Sequence, residues 1–180
     1  MKLVNKSIVL DLDGVIADID KSVSNYLQQD GSVDDPSYAE WFTTNTKSPE
    51  ALKLFGNSLF WKNIKPFSDA FFQINYWASI GYEINVVTAR RQEASVKEAM
   101  PWLNKWHIEI HEIYFAEYGK KIDIVKNIDP IFVVEDNPEE IKVLESCGVK
   151  CFLRAAWYNQ SSWNDFTTIE SLYDIDLENL

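Results

Sequence analysis

The stretch SIVLDLDGV, residues 7–15, decides the fold. Its apolar part, 8–10, is typical of a short buried strand. The strand pattern ends at Asp11, and Asp13 with Gly14 then supplies residues typical of a turn. In parallel α/β sheets, ligands bind beyond the carboxyl ends of the strands. The stretch therefore predicts a strand that leads directly into a ligand-binding edge.

Further apolar runs extend this pattern along the chain, at 84–87, 131–134 and 149–153. Another strand is expected within 108–115, where apolar residues recur after a break. Segments of helical character lie between the runs, at 69–80, 93–106, 121–128 and 138–147. This alternation is typical of a parallel sheet covered by helices on both faces. We therefore predict an α/β fold, a three-layer sandwich with about five parallel strands.

A long interval, 17–66, separates the first strand from the next βα unit. Loops of that length are seldom structureless, and helix-like patterns occur at 22–29 and 49–55. We predict that 17–66 is a small helical cap and that 1–16 and 67–180 form the core domain. The acidic tail from residue 165 is predicted to be a peripheral helix with a frayed end.

Composition limits the classes of function. The chain has 180 residues, 17 Lys plus Arg and 28 Asp plus Glu, so its formal charge is −11. That charge argues against a surface that holds polynucleotide phosphates. No apolar run is long enough for a signal segment or a bilayer span, so we expect a cytoplasmic protein without a membrane partner. Cys147 and Cys151 are predicted to be reduced core thiols.

Polar residues stand where the predicted strands end or where the next helix begins. They are Asp11, Asp13, Thr88, Arg90, Lys121, Glu135 and Asp136, and Ala89 lies between Thr88 and Arg90. Four carboxylates at one edge repel each other unless a cation is present, and hard oxygen ligands suit Mg²⁺. Magnesium with a lysine and a hydroxyl is also what a transferring phosphoryl group requires. The set therefore predicts metal-dependent phosphate chemistry.

These segments, in this order, resemble the four motifs of the haloacid dehalogenase (HAD) superfamily of phosphohydrolases. The resemblance covers residues 8–155 approximately. DLDGVIAD at 11–18, with an insertion directly behind it, and EDNPEE at 135–140 are most similar to the 5′(3′)-deoxyribonucleotidases. The resemblance implies a HAD-like Rossmannoid core and a Mg²⁺-dependent phosphomonoesterase whose substrates are nucleoside monophosphates.

The resemblance also implies a role for each residue of the first two motifs. Asp11 is the nucleophile that forms an aspartyl-phosphate. Asp13 protonates the leaving oxygen, then activates water, and offers its backbone carbonyl to Mg²⁺. Thr88 and the backbone amide of Ala89 hold phosphoryl oxygens, and Arg90 is assigned to substrate binding beside them.

In the last two motifs the resemblance leaves two choices open. Lys121 balances charge and is preferred to Lys120, because its distance from Glu135 along the chain resembles the usual spacing. Asp136 completes the metal site, with Glu135 as a second ligand or as its alternative, since the family usually has two aspartates here.

The aromatic residues of the insertion have two interpretations. Trp41 and Phe42, like the pair Phe60 and Trp61, either form the cap's own core or line a wall against which a base or sugar packs. We assign Trp41 and Phe42 to substrate binding.

Two other functions are kept as alternatives. One is a phosphatase for polynucleotide ends or another metabolite, because VVTARR at 86–91 also resembles the phosphatase part of end-processing enzymes. The charge of −11 counts against polynucleotides. The other is a non-catalytic phosphate-binding module, against which the presence of both Asp11 and Asp13 counts. The oligomeric state is left open.

Overall fold

The computed structural model describes residues 6–30, 53–91 and 93–180. Helices and strands are numbered here in chain order within those ranges. The strands are β1 (Ser7–Leu10), β2 (Glu83–Thr88), β3 (Glu112–Phe115), β4 (Phe132–Glu135), β5 (Cys151–Arg154) and β6 (Thr168–Ile169). The helices are α1 (Ile19–Asp30), α2 (Ser58–Asn63), α3 (Ser68–Ser79), α4 (Glu93–Lys105), α5 (Lys121–Ile128) and α6 (Pro138–Ser146).

The strands form one parallel sheet in the order β3-β2-β1-β4-β5-β6. The predicted α/β fold with a parallel sheet is confirmed, with six strands in the described ranges rather than about five. The strand order reverses direction at β1, which lies between β2 and β4. Such a switch point opens a crevice at the carboxyl ends of the strands, directly beyond Leu10.

The core is divided between the two faces of the sheet. Along β1, Ile8 and Leu10 belong to one buried cluster and Val9 to the other. The same alternation holds in β4, where Phe132 and Val134 face away from Val133. Side chains alternate because successive Cβ atoms of a strand point to opposite faces. Burial on both faces explains why the strands read as continuous apolar runs.

The C-terminal tail differs from the prediction of a peripheral helix. It contains β6 and the 3₁₀ turns Leu172–Asp174 and Leu177–Asn179. Leu172 is fully buried, and its backbone amide donates to the buried carboxylate of Asp69 at 2.8 Å. The tail therefore packs against α3 as an irregular segment, because its apolar residues and this hydrogen bond fix it to the core.

The two ends of the predicted insertion meet in the structure. Asp18 N–H donates to the Lys65 carbonyl, and Phe67 N–H donates to the Ile16 carbonyl, both at 2.9 Å. Between these contacts lie α1 and α2, while residues 31–52, including Trp41 and Phe42, lie outside the described residues. The division into a cap at 17–66 and a core remains a prediction.

Two further expectations concern the thiols and the membrane. Cys151 is buried, as predicted, but Cys147 is exposed because it lies just past the end of α6. Its assignment to the core was wrong. Among the described helices, none combines the length and apolar character that a bilayer crossing requires.

Candidate active site

Lys121 joins two acidic residues from different strand ends. Its Nζ atom lies 2.7 Å from Asp11 Oδ1 and 2.6 Å from Glu135 Oε2. Asp11 directly follows β1, Glu135 ends β4, and Lys121 opens α5. The three side chains are nearly inaccessible to solvent, with exposed fractions of 8% for Asp11, 1% for Glu135 and 4% for Lys121. The sheet thus brings a buried cation between two buried carboxylates.

The structure separates Lys121 from its neighbour Lys120. Lys120 is exposed, directly precedes α5, and pairs with exposed Glu117 at 2.6 Å. Lys121 turns inward because it begins the buried face of α5, on which Val125 also lies. Of the two lysines, the structure places Lys121 beside Asp11.

Burial shapes the charges of this cluster. Burial first, and then the negative charge of Glu135, raise the pKa of Asp11 to about 7, although the charge and the hydrogen bond of Lys121 lower it. Burial would lower the pKa of Lys121, but the charges and hydrogen bonds of Asp11 and Glu135 raise it above its usual range. Lys121 is therefore protonated, and one ammonium does not fully compensate the surrounding carboxylates.

Asp136 lies next to Glu135 and is held by other contacts. Its carboxylate accepts a hydrogen bond from the Tyr158 hydroxyl, and its backbone carbonyl accepts one from the Asn159 side chain at 2.8 Å. Burial raises the pKa of Asp136 well above its ordinary value, and the charges of Glu135 and Asp11 raise it further.

Asp11, Glu135 and Asp136 fit a divalent metal ion. One carboxylate oxygen from each lies within 4.8 Å of the others. The donor set is oxygen only, which is the chemistry that Mg²⁺ prefers. Burial, and after it the neighbouring carboxylates, raise the pKa values of Asp11 and Asp136, and a bound dication would favour the charged form of both groups. Glu135 and Asp136 are thus both candidate ligands, together with Asp11.

Glu135 has a second contact that bears on this choice. While its Oε2 pairs with Lys121, its Oε1 accepts the backbone N–H groups of Asp136 and Asn137, each at 3.1 Å. Both oxygens are therefore already hydrogen-bonded within the chain. The Asp136 carboxylate, by contrast, accepts a hydrogen bond from a side chain, that of Tyr158.

Arg90 lies against Asp13 rather than pointing to open solvent. Its Nε donates to Asp13 Oδ2 at 2.8 Å, and its Nη2 donates to Asp13 Oδ1 at 2.6 Å. The same guanidinium lies 4.4 Å from the ring centroid of Trp61 in α2. The Arg90 backbone N–H donates to the Thr88 hydroxyl at 3.4 Å. Arg90 thus connects the end of β2, the turn after β1 and the inserted segment.

These residues surround one cavity of about 480 Å³. Its lining includes Ala89 and the polar residues Asp11, Asp13, Thr88, Arg90, Lys121, Glu135 and Asp136. Its aromatic lining consists of Phe55, Trp61, Tyr118 and Tyr158. The volume lies in the range of small-molecule sites. A small ligand with a charged end and an apolar end matches this lining.

The aromatic residues of the insertion divide between core and cavity. Phe60 packs edge-on against Phe55 and Trp61, with ring centroids 6.0 and 5.2 Å apart, and it does not line the cavity. Trp61 lines the cavity but is only 4% exposed, and its indole N–H donates to the Phe55 carbonyl at 2.8 Å. The substrate-binding assignment of Trp41 and Phe42 concerns residues outside the described ranges.

The sequence interpretation missed Tyr158 and Asn159. Both lie in the 3₁₀ segment Trp157–Ser162, which follows β5. The sequence does contain a signal for these two residues. Residues that follow parallel strands lie at the same edge of the sheet, and the residues after Arg154 follow β5. The residues assigned from the sequence follow β1, β2 and β4, whereas Tyr158 and Asn159 follow β5.

The comparisons with known proteins concern the fold. No protein-family model matches the chain, and no curated protein matches it. A HAD-superfamily hydrolase from Ehrlichia chaffeensis is 11% identical with a TM-score of 0.55, covering 94% of this chain and 93% of that chain. CbbY from Rhodobacter sphaeroides, a variant solved with xylulose-(1,5)-bisphosphate, is 14% identical with a TM-score of 0.60, covering 98% and 99%.

A third similar structure is the Pnkp1/Rnl/Hen1 RNA repair complex. It is 15% identical with a TM-score of 0.52, and the match covers 83% of this chain but 42% of that chain. At such identities these structures establish a likeness of fold. The chain has a HAD-like Rossmannoid fold.

Proposed function

We propose that this chain is a Mg²⁺-dependent phosphomonoesterase that acts through an aspartyl-phosphate. The observation that carries the proposal is the contact of Lys121 with both Asp11 and Glu135. The contact supports the proposal because the carboxylate that we propose as the nucleophile, a buried cation and the candidate metal ligands lie together at the switch point of the sheet. The fold shared with HAD hydrolases supports the proposal.

The reaction begins with Asp11. One carboxylate oxygen attacks phosphorus, and the bond from phosphorus to the ester oxygen breaks. Asp13 in its acid form gives its proton to the leaving oxygen, which requires one of its two hydrogen bonds from Arg90 to open. Asp13 then takes a proton from water, whose oxygen attacks phosphorus. The bond to Asp11 breaks, which restores its carboxylate and releases inorganic phosphate.

Other side chains bind and balance charge during both steps. Thr88 and the backbone amide of Ala89 hold phosphoryl oxygens, and the Lys121 ammonium compensates the charge that develops on them. Asp11, Glu135 and Asp136 would hold Mg²⁺, and the backbone carbonyl of Asp13 is a further candidate ligand. The metal would neutralise negative charge on the phosphoryl oxygens.

The direct test is a panel of phosphate monoesters with the purified chain. We expect phosphate release from an aryl phosphate and from at least one nucleoside monophosphate with Mg²⁺, and none with EDTA. Asp11→Asn, prepared identically, controls for contaminating phosphatases. Full activity in EDTA, or no turnover of any ester with Mg²⁺, contradicts the proposal; the latter result favours a phosphate-binding module.

We further propose that the substrates are nucleoside monophosphates. Tyr118 lines the cavity and, at 60%, is the most exposed of the described aromatic residues there. Its hydroxyl accepts a hydrogen bond from the Asn137 side chain at 3.0 Å, which fixes the ring beside the metal-site loop. An exposed, anchored ring is suited to stacking on a base.

Substitution of Tyr118 tests this substrate class. Stacking contributes about 1–3 kcal/mol, so Tyr118→Ala should raise KM for a nucleoside monophosphate by roughly tenfold and leave KM for glycerol phosphate unchanged. Tyr118→Phe keeps the ring and is the matched control. Equal effects of Tyr118→Ala on both substrates contradict stacking.

Polynucleotide ends belong in the same panel. The likeness to the RNA repair complex concerns the fold, whereas a formal charge of −11 disfavours binding along a nucleic-acid backbone. We expect turnover of a mononucleotide to exceed that of a 3′-phosphorylated oligonucleotide. The reverse preference would identify the chain as an end-processing phosphatase.

A further inference from the structure

The 3₁₀ segment Trp157–Ser162, which follows β5 in the chain, contacts the candidate metal site. The Tyr158 hydroxyl donates to Asp136 Oδ2. The next residue, Asn159, donates from its side-chain amide to the backbone carbonyl of Asp136 at 2.8 Å. Consecutive residues of one segment thus hold both the side chain and the backbone of Asp136.

Asn159 makes this segment rigid. Besides Asp136, its amide nitrogen donates to the Arg154 carbonyl at 2.9 Å. Its Oδ1 accepts from the Ala156 backbone N–H at 2.9 Å and from the Trp163 indole at 2.8 Å. The side chain is 2% exposed, and both of its donors and both acceptor sites are used. Tyr158 is therefore presented from a fixed backbone.

Gly14 provides the space for this contact. A Cβ atom at Gly14 would lie 2.0 Å from Asp136 Oδ2 and 2.7 Å from the Tyr158 hydroxyl oxygen. A side chain at Gly14 would therefore displace the Asp136 carboxylate and the Tyr158 hydroxyl, because the turn after β1 closely approaches both groups. Three chain segments converge on one carboxylate, namely the turn after β1, the loop after β4 and the segment after β5.

A carboxylate held in this way can still bind a cation. Its two oxygens offer about four lone-pair sites, and the Tyr158 hydroxyl occupies one of them. Hydrogen-bond partners behind a metal ligand fix its orientation, and their loss typically weakens metal affinity by about 10- to 100-fold.

We propose that Tyr158 is a positioning residue for the metal site, which orients the Asp136 carboxylate toward the ion. The proposal rests on the metal dependence of the proposed function. It assigns a part in the site to the chain beyond β5, which the four motifs do not include.

The test is direct Mn²⁺ binding, measured by electron paramagnetic resonance on the full chain without substrate. Tyr158→Phe removes only the hydroxyl and should weaken Mn²⁺ binding by about tenfold, with the melting temperature of the metal-free protein unchanged. Trp157→Phe is the matched control, because it removes a hydrogen bond from the same segment to Asp20, 2.7 Å long, away from Asp136. Trp157→Phe should bind Mn²⁺ like the unaltered chain.

Each outcome decides the proposal. Equal Mn²⁺ affinity of Tyr158→Phe and the unaltered chain overturns it, as does equal weakening in Trp157→Phe, which indicates a structural role of the segment. A parallel fall in the melting temperature of Tyr158→Phe also overturns it. If the unaltered chain binds no Mn²⁺, both the metal site and the metal dependence of the proposed function are wrong. If Mn²⁺ binds as expected but no ester is hydrolysed, the positioning role stands without the proposed activity.

Discussion

Arg90 and Asp13 form an ion pair with two hydrogen bonds, 2.8 and 2.6 Å long, in which the Arg90 side chain is 3% exposed. The paired geometry fixes the plane of the Asp13 carboxylate, as expected of a guanidinium fork. Trp61 packs on the same guanidinium. Arg90 thus uses these donors on a neighbouring carboxylate, and its assignment to substrate binding remains a prediction.

Replacement of Arg90 distinguishes a positioning role from phosphate binding. In Arg90→Gln we expect the phosphorylation step for a nucleoside monophosphate to slow by roughly 10- to 100-fold, because a poorly placed Asp13 protonates the leaving oxygen badly. An aryl phosphate with a low leaving-group pKa should lose less. Burst-phase kinetics on both substrates provide the measurement, and the inhibition constant of inorganic phosphate should stay unchanged. Equal losses together with weaker phosphate inhibition would identify Arg90 as a phosphate ligand.

The neighbouring lysines offer a paired experiment. Lys121→Gln leaves Asp11 and Glu135 buried without their cation, which should lower the unfolding free energy by roughly 3 kcal/mol or more and turnover by at least about 100-fold. Lys120→Gln removes an exposed pair with Glu117, so both quantities should remain near those of the unaltered chain. Urea unfolding and steady-state assays at pH 7 measure these effects. A large loss in Lys120→Gln, or none in Lys121→Gln, contradicts the assigned positions.

Two glycines with similar positive φ values differ in the space around their Cα atoms. Gly14 and Gly148 have φ values of +80° and +82°, but only the Cβ at Gly14 would meet Asp136, at 2.0 Å, while nothing lies within 4 Å of the one at Gly148. Gly148→Ala should therefore cost only about 1–2 kcal/mol of stability, whereas Gly14→Ala should in addition abolish Mn²⁺ binding and phosphatase activity. Thermal unfolding and metal titration compare them. Normal Mn²⁺ affinity in Gly14→Ala contradicts the described approach of the turn to Asp136.

The thiols give an independent check on the core. Burial raises the pKa of the Cys151 thiol to about 12, whereas Cys147 is exposed. Ellman's reagent at pH 8 should therefore label one thiol per native chain and two in denaturant. Cys147→Ser should remove the native labelling. Rapid labelling of both thiols without denaturant would contradict the packing of β5.

Sequence reasoning located the regular elements well because each has a strong local pattern. The helix predicted at 121–128 has the bounds of α5, and the strand expected at 131–134 differs from β4 by one residue at each end. The prediction of a peripheral helix in the tail was wrong because the burial of the tail depends on a tertiary contact. The Leu172 N–H donates a hydrogen bond to Asp69, and local periodicity in the sequence does not reveal such a contact.

The site shows the same division between local and tertiary information. Asp11 and Glu135 follow apolar strands in the sequence, so their common edge could be predicted from the order of the elements. The pairing of Arg90 with Asp13 and the approach of Tyr158 to Asp136 depend on side-chain directions across different strands. Such contacts leave no pattern in the sequence beyond their position after a strand.

Trapping of the phosphorylated intermediate shows whether Asp11 accepts the phosphoryl group. In Asp13→Asn, Asp11 should still accept a phosphoryl group from an aryl phosphate, whose leaving group needs no proton. The phosphoryl group should be released slowly, because the carboxylate that activates water is absent. After acid quenching of a ³²P-labelled reaction with Mg²⁺, we predict label on the peptide that contains Asp11, labile to hydroxylamine. The double variant with both Asp11→Asn and Asp13→Asn should carry no label on this peptide. Label on another residue, equal label in the double variant, or turnover by Asp11→Asn alone would exclude Asp11 as the nucleophile.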